Sequence, residues 1–257
     1  MPFPEARFIR LMAPGELERS SGRQKCMLTI SGQREFAAAF GVSPETADRL
    51  VLYERLLRQW QKAVNLVAPA TLDAVWHRHF ADSAQLLPLA PPGVRTWIDL
   101  GSGAGFPGLV VAILLAYPGA GSPLPAGGED EPASAPRVTL IESDTRKCAF
   151  LREVARQAGM AVDILSRRAE SARTPVNGGL PRVVSARALA VLDKLLGLAA
   201  PLSPPGTTLL LMKGKDARKE LHMAEAAWTF DVELVPSVTD KHGSVAVITN
   251  LKRKAKD

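Results

Sequence analysis

The chain has 257 residues, of which 46% are hydrophobic, with a formal net charge of +6 and a sequence pI of about 9.5. This hydrophobic content suffices for a substantial core and excludes a disordered chain, and the longest apolar stretch, Leu109 to Tyr117, is far short of the roughly 20 residues of a membrane-spanning helix. Two distant cysteines, Cys26 and Cys148, and four histidines without a Cys/His cluster of zinc spacing exclude a disulfide framework and predict no metal, while no secretory signal opens the chain and a cytoplasmic protein is expected.

In chain order, residues 1–27 carry Pro2, Pro4, Pro14 and scattered charges without periodicity, and read as a flexible N-terminal extension. Glu5, Glu16 and Glu18 argue against an acid-poor presequence, and Met27 is a candidate start just before the first patterned segment. Residues 28–92 read as a helical cap. Ser43 is a predicted N-cap, Pro44 suits the first helical position, and Glu45 favours the positive end of the helix. Leu50, Tyr53, Leu57, Trp60, Val64 and Val67, spaced by three and four, predict one face of a helix of about six turns. The place of Trp60 in that stripe makes it a core residue rather than a base-stacking platform. A second helix is predicted from Leu72 to Leu87, and it carries the dense polar run Trp76-His77-Arg78-His79-Phe80-Ala81-Asp82-Ser83, in which Asp82 has Arg and His partners close by.

After Pro91-Pro92-Gly93, residues 93–257 read as an α/β domain. The apolar run Val94 to Leu100 predicts a buried strand that stops at glycines, and Pro107 with Leu109 to Ala116 predicts the helix that follows. A dinucleotide fingerprint starting at Gly101 would need glycine at position 106, where Phe106 stands. The order Asp99-x-Gly101-x-Gly103-x-Gly105 instead resembles the first motif of S-adenosylmethionine-dependent methyltransferases with the seven-stranded Rossmann-like fold, which makes these four residues a candidate cofactor loop. Residues 118–136, rich in Gly, Pro, Ala and Ser, read as a flexible surface segment. The next strand, Arg137 to Ile141, ends on Glu142, where nucleotide-binding α/β folds place an acid that accepts ribose hydroxyls about 20 residues past the glycine turn. Gly105 and Glu142 are 37 residues apart, an excess close to the length of the low-complexity segment, so that segment is an insertion and Glu142 keeps the ribose role. Asp144 is a predicted cap for a helix from Thr145 to Ala158, ended by Gly159. A third strand, Ala161 to Leu165, leads to Ala169 and Glu170, expected near the base of the cofactor. A fourth, Arg182 to Ser185, leads to Ala186-Arg187-Ala188 at the end where open α/β sheets place ligands. A helix Val191 to Leu202, a strand Thr207 to Lys213, a helix Ala217 to Ala227 and strands Asp231 to Val235 and Val245 to Asn250 complete seven strands, the last two joined too closely for a crossover and hence antiparallel.

The residues after the fourth strand narrow the methyl acceptor. Ser185-Ala186-Arg187-Ala188 lacks the Asn/Asp-Pro-Pro-aromatic pattern of enzymes that methylate the adenine amine, and neither cysteine is placed to activate a pyrimidine ring. A ring nitrogen with a free lone pair, such as that on the Hoogsteen edge of guanine, needs neither a base nor a covalent intermediate. Positioning suffices, and Arg187 is the residue expected to provide it, with its head group toward the cofactor's carboxylate or RNA and away from the sulfonium. Between Arg182 and Lys219 seven basic residues face two acids, Asp193 and Asp216, as expected of an RNA-facing patch.

Five ordered motifs, Trp60-Gln61-Lys62-Ala63-Val64-Asn65-Leu66, Arg78-His79-Phe80-Ala81-Asp82-Ser83, Asp99 to Gly108, Ser185 to Ala190 and Leu211-Met212-Lys213-Gly214-Lys215, together resemble the RsmG (GidB) family of bacterial small-subunit ribosomal RNA guanine methyltransferases, from about Phe36 to the C-terminus. The resemblance implies S-adenosylmethionine as donor, 7-methylguanosine in 16S ribosomal RNA as product, and cofactor contacts at Gly101, Phe106, Ala169, Glu170 and Arg187. It also sets Arg78, His79 and Asp82 beside the active site, and RNA contacts are expected from Arg78, His79, Lys213 and Lys215. The expected molecule is a seven-stranded Rossmann-like class I S-adenosylmethionine-dependent methyltransferase with a helical N-terminal cap, a monomer whose partner is 16S ribosomal RNA or the small ribosomal subunit, with no membrane. The alternatives are the same fold acting on a protein or small molecule, and a non-catalytic ribosome-binding module.

Overall fold

The computed structural model describes residues 29–117, 136–173 and 182–255. The expected extension at 1–27, Cys26 and residues 118–135 of the expected insertion lie outside them. Seven strands form one sheet in the order β3-β2-β1-β4-β5-β7-β6: β1 Thr96–Leu100, β2 Arg137–Glu142, β3 Asp163–Ser166, β4 Arg182–Arg187, β5 Thr207–Lys213, β6 Trp228–Pro236 and β7 Ser244–Arg253. The first five run parallel, and β7 pairs antiparallel with both β5 and β6, as the short connection between the last two strands predicts. The chain reverses its strand order between β1 and β4, which opens a crevice at their carboxyl ends.

Successive residues of the central strands point to opposite faces. Trp97, Val138, Leu140, Val183 and Leu210 face one core with the cap and the helices α4 Gly108–Ala116 and α5 Thr145–Gln157. Ile98, Leu100, Ile141, Val184, Leu209 and Leu211 face the other, with α6 Leu192–Ala199 and α7 Ala217–Ala224. Helix α4 is buried along nearly its whole length, which explains its continuous apolar sequence Gly108 to Leu115.

The cap opens with α1 Gln33–Phe40, an element that the sequence pattern did not reveal. Helix α2 spans Pro44–Trp60, with the Ser43 hydroxyl accepting from the Thr46 amide. It is shorter than the predicted six turns. Gln61 ends it: its side-chain oxygen accepts from the amides of Leu66 and Val67 and its amide nitrogen donates to the Val67 carbonyl, so the chain turns out of the helix with its polar groups satisfied. Val64 and Val67 still reach the core, from a turn. The predicted helix from Leu72 to Leu87 is likewise broken, into a wide π turn Trp76–Ala81, a short helix α3 Asp82–Ala84 and a 3-10 turn Leu87–Leu89. The Ser83 hydroxyl donates back to the His79 carbonyl, and Pro88 cannot donate to a continued helix. Asp144 does cap α5, accepting from the Arg146 and Lys147 amides, and Gly159 beyond its end has φ +69°.

Candidate active site

The carboxyl ends of the parallel strands line two neighbouring cavities. The first, about 350 Å³, is walled by Gly101 and Gly103 after β1, Glu142 and Ser143 after β2, Arg167 to Glu170 after β3, and Arg187 to Ala190 after β4. The second, about 370 Å³, lies between the ends of β4 and β5, the β6–β7 turn and the cap residues Arg78, Asp82 and Gln85. Arg187 and Ala188 belong to both walls.

Glycine is required where the first cavity meets the β1 turn. Gly101 and Gly103 have φ of +64° and +57°, a region that side-chain-bearing residues rarely adopt. A Cβ on Gly101 would lie 2.6 Å from the Leu189 side chain, whereas one on Gly103 would meet nothing nearer than the Gly101 carbonyl at 3.8 Å and would stand in free space. The Glu142 carboxylate accepts the Gly103 and Asp144 amides, both at 2.8 Å, so its orientation is fixed from beneath the loop. Each of its oxygens retains a lone pair for a ligand hydroxyl. These features suit a nucleoside cofactor: a bare backbone cradle, an oriented carboxylate and the small side chains of Ala169, Ala188 and Ala190.

Several residues of the expected cofactor set sit elsewhere. Asp99 is completely buried below the loop, where its carboxylate accepts from the Ser185 hydroxyl at 2.7 Å and from the Gly108 amide at 3.2 Å, anchoring the start of α4 to β4. Trp97 donates in turn to the Ser185 hydroxyl. Gly105 also faces inward, since a Cβ there would strike the Tyr53 hydroxyl, Leu109 and Leu151. Phe106 lines neither cavity. Its ring is clamped between Tyr53, stacked at 5.3 Å, and His79, stacked at 4.7 Å, and the Tyr53 hydroxyl donates to the Ala104 carbonyl. These residues hold the glycine loop from behind, and a motif spacing does not reveal which side of a turn a residue faces.

Arg187 leaves the end of β4 toward the cap. One guanidinium nitrogen donates to the Arg78 carbonyl at 3.1 Å and to Asp82 Oδ2 at 3.3 Å, the other contacts His79 Nδ1 at 3.0 Å, and the group sits 5.2 Å from the Phe106 ring. The tautomer of His79 follows: Thr71 uses its hydroxyl proton on the Ala68 carbonyl, so His79 Nε2–H donates to Thr71 Oγ1 and Nδ1 accepts from Arg187. Burial first, then the charges of Arg187 and Arg78, push the His79 imidazole down to about 3, which keeps it a neutral acceptor. His79 is buried, with both ring nitrogens engaged inside the protein. Lys213 is also withdrawn, paired with Glu220 at 2.6 Å and donating to the Ala190 carbonyl. Arg78 lines the second cavity, and Lys215 is exposed outside both. Asp82, expected beside the active site with Arg or His partners, is a hub: it accepts Thr239 and Gln85 on one oxygen and Arg187 on the other, tying the cap to both β4 and the β6–β7 turn. Its tie to the β6–β7 turn had no signal in the sequence, because Thr239 lies 157 residues away.

Asp99 and His79 titrate in opposite senses. Burial outweighs the Ser185 hydrogen bond and pushes the Asp99 carboxyl up to about 6 from 3.8, so its contribution to stability is full below pH 3.8 and is lost as pH rises through 6. His79, lowered from 6.5, contributes above pH 6.5 and loses that contribution as pH falls toward 3. Asp99→Asn should remove the first effect alone, changing the stability difference from the native protein by on the order of 3 kcal/mol between pH 4 and 7. Denaturant unfolding at a series of pH values measures this, and parallel curves for the two proteins would contradict the assignment.

Seven strands in this order, a glycine turn after β1 and an acid at the end of β2 define a Rossmann-like S-adenosylmethionine-dependent methyltransferase. The family described as rRNA small subunit methyltransferase G (GidB) matches residues 46–118 and 130–248. The ribosomal RNA small subunit methyltransferase G of Rhodospirillum centenum is 51% identical over 217 residues, covering 84% of this chain and 90% of the relative, and that of Parvibaculum lavamentivorans is 47% identical over 222 residues, covering 86% and 91%. The chain belongs to the rRNA small subunit methyltransferase G family.

Proposed function

We propose that this protein transfers a methyl group from S-adenosylmethionine to N7 of a guanine in 16S ribosomal RNA. The observation that carries this reading is the pair of cavities meeting at Arg187 and Ala188, one suited to the cofactor and the other open to a base. When bound, the cofactor supplies a methyl group made electrophilic by its sulfonium. The lone pair of N7 forms the new N–C bond as the C–S bond breaks, and because N7 carries no proton, no general base is needed. Accordingly the imidazole nearest Arg187 has no base role: His79 is committed to Arg187 and Thr71, and the Cys148 thiol is buried against the Glu142 carbonyl. Glu142 orients the ribose, the backbone at Gly101 and Gly103 admits the cofactor closely, and Arg187 fixes the cap against β4 so that base and methyl donor keep one relative placement.

The RNA backbone approaches over the mouth of the first cavity. Lys147, Arg167, Arg168 and Lys194 line it, and none has an ion pair among the described residues, in contrast to Lys213 with Glu220. Unpaired cations around a site attract phosphate regardless of sequence. The protein would act as a monomer, and its substrate would place it in the cytoplasm. Among the described residues no helix is long and apolar enough to cross a membrane. With labelled S-adenosylmethionine and dissociated small subunits, label is expected in the RNA fraction; label in the ribosomal proteins instead would overturn this reading.

A further inference from the structure

The second cavity contains three carboxylates, and their engagements differ. Asp82 is saturated by Thr239, Gln85 and Arg187. Glu220 is bound through Oε2 to Lys213 and to the Leu192 amide at the start of α6. Asp240, in the β6–β7 turn, spends only Oδ1, on the His242 amide at 2.9 Å. Its Oδ2 lies 3.6 Å from Arg78, a loose pair in which the two side chains are 38% and 46% exposed, and such pairs hold weakly and exchange readily with other partners.

The backbone beneath Asp240 is fixed. The Asp240 amide donates to the buried Ser237 hydroxyl, which also receives the Gln85 side-chain amide from the cap, and Gln85 accepts from the Val238 amide. Gly243 closes the turn so tightly that a Cβ there would lie 3.1 Å from that of Asp240. The His242 hydrogen bond, with Arg78 alongside, holds the Asp240 carboxyl below the usual carboxylate range, so it only accepts at neutral pH.

We propose that Asp240 selects guanine over other bases by accepting hydrogen bonds from its N1–H and 2-amino group, with the Hoogsteen edge turned toward the wall at Arg187 and Ala188. Guanine is the base with two adjacent donors on that edge, and adenine offers a lone pair and a C–H there, which a carboxylate disfavours. The purine places N7 on the side away from those donors, toward the cofactor cavity. This inference rests on the guanine-N7 reading above and adds the residue that chooses the base.

The test pairs a protein change with a base change. Small-subunit RNA is assembled with either guanine or inosine, which lacks the 2-amino group, at the methylated position, and kcat/KM is measured for the native protein and for Asp240→Asn. Asparagine keeps an oxygen for the His242 amide, so the turn survives, and Tm and calorimetric S-adenosylmethionine affinity confirm an intact site. The native protein should prefer guanine by about tenfold or more, and the variant should lose most of that preference because its fall on guanine, which loses two hydrogen bonds, exceeds its fall on inosine, which keeps N1–H and loses one. An unchanged preference, or an equal fall on both substrates including a complete one, would overturn the role of Asp240. The native protein's activity on guanine RNA reports separately on the functional reading, which an unchanged preference leaves standing.

Discussion

Arg187→Ala is expected to lower methylation of small-subunit RNA by at least about tenfold, the loss of roughly 1.4 kcal/mol at the transition state. The guanidinium replaces three separate contacts with one rigid joint, binding the Arg78 carbonyl, Asp82 and His79 of the cap to the end of β4. Its side chain is only 20% exposed and that of Asp82 17%, so this is not a surface pair. Its removal leaves His79 Nδ1 without its donor, at an expected stability cost of about 1–3 kcal/mol. The sequence places this head group toward the cofactor's carboxylate or RNA; it turns to the cap instead, and the proposed role is one of position. Two readouts separate that role from simple destabilisation. Activity assayed well below Tm should fall in kcat, and the His79 imidazole, freed from one neighbouring charge, should titrate at higher pH by NMR. Arg187→Lys should recover little, because a single ammonium cannot span the three acceptors as the planar fork does. Normal methylation by the alanine variant would detach this strand end from the active site.

Gly103→Val should abolish measurable S-adenosylmethionine binding, with affinity falling by at least about a hundredfold, or roughly 3 kcal/mol. The Cβ would enter free space in the cavity rather than protein, so the side chain fills the volume the cofactor needs. Strain at φ +57° adds an expected destabilisation of about 1–3 kcal/mol, which a domain of this size tolerates. Gly93→Val supplies the control: Gly93 has φ +65° with nothing within 4 Å and lines neither cavity, so it carries the strain without the obstruction. Isothermal calorimetry should find normal affinity in the Gly93 variant and none in the Gly103 variant. Equal affinities in the two would remove the glycine turn from the cofactor site.

What the sequence disclosed follows from which signals are local. The alternating glycines, the Asp144 cap, strand β5 and the antiparallel last pair depend on residues within one element or one turn, and each was legible. The length of α2 was not, because Gln61 ends it through contacts with Leu66 and Val67 that no periodicity encodes. The motif containing Asp99, Gly105 and Phe106 marked the glycine turn after β1, yet these three face the protein, since burial depends on what Tyr53, His79 and Ser185 bring from distant elements. Counting cations toward an RNA patch did not reveal that Lys213 is paired, for the same reason: its partner Glu220 arrives from α7. Asp240 offered no motif at all and is distinguished from Asp82 and Glu220 by its loose, exposed pair with Arg78 at 3.6 Å, against 3.3 Å for Asp82 with Arg187 and 2.6 Å for Glu220 with Lys213.

Mass spectrometry of nucleosides from 16S ribosomal RNA, isolated from cells with and without this protein, tests the central claim most directly. One 7-methylguanosine should be present when the protein is supplied and absent when it is missing or carries Gly103→Val, with other modifications unchanged. An identical 7-methylguanosine content in all three RNAs would contradict the assignment of guanine N7 as the methyl acceptor.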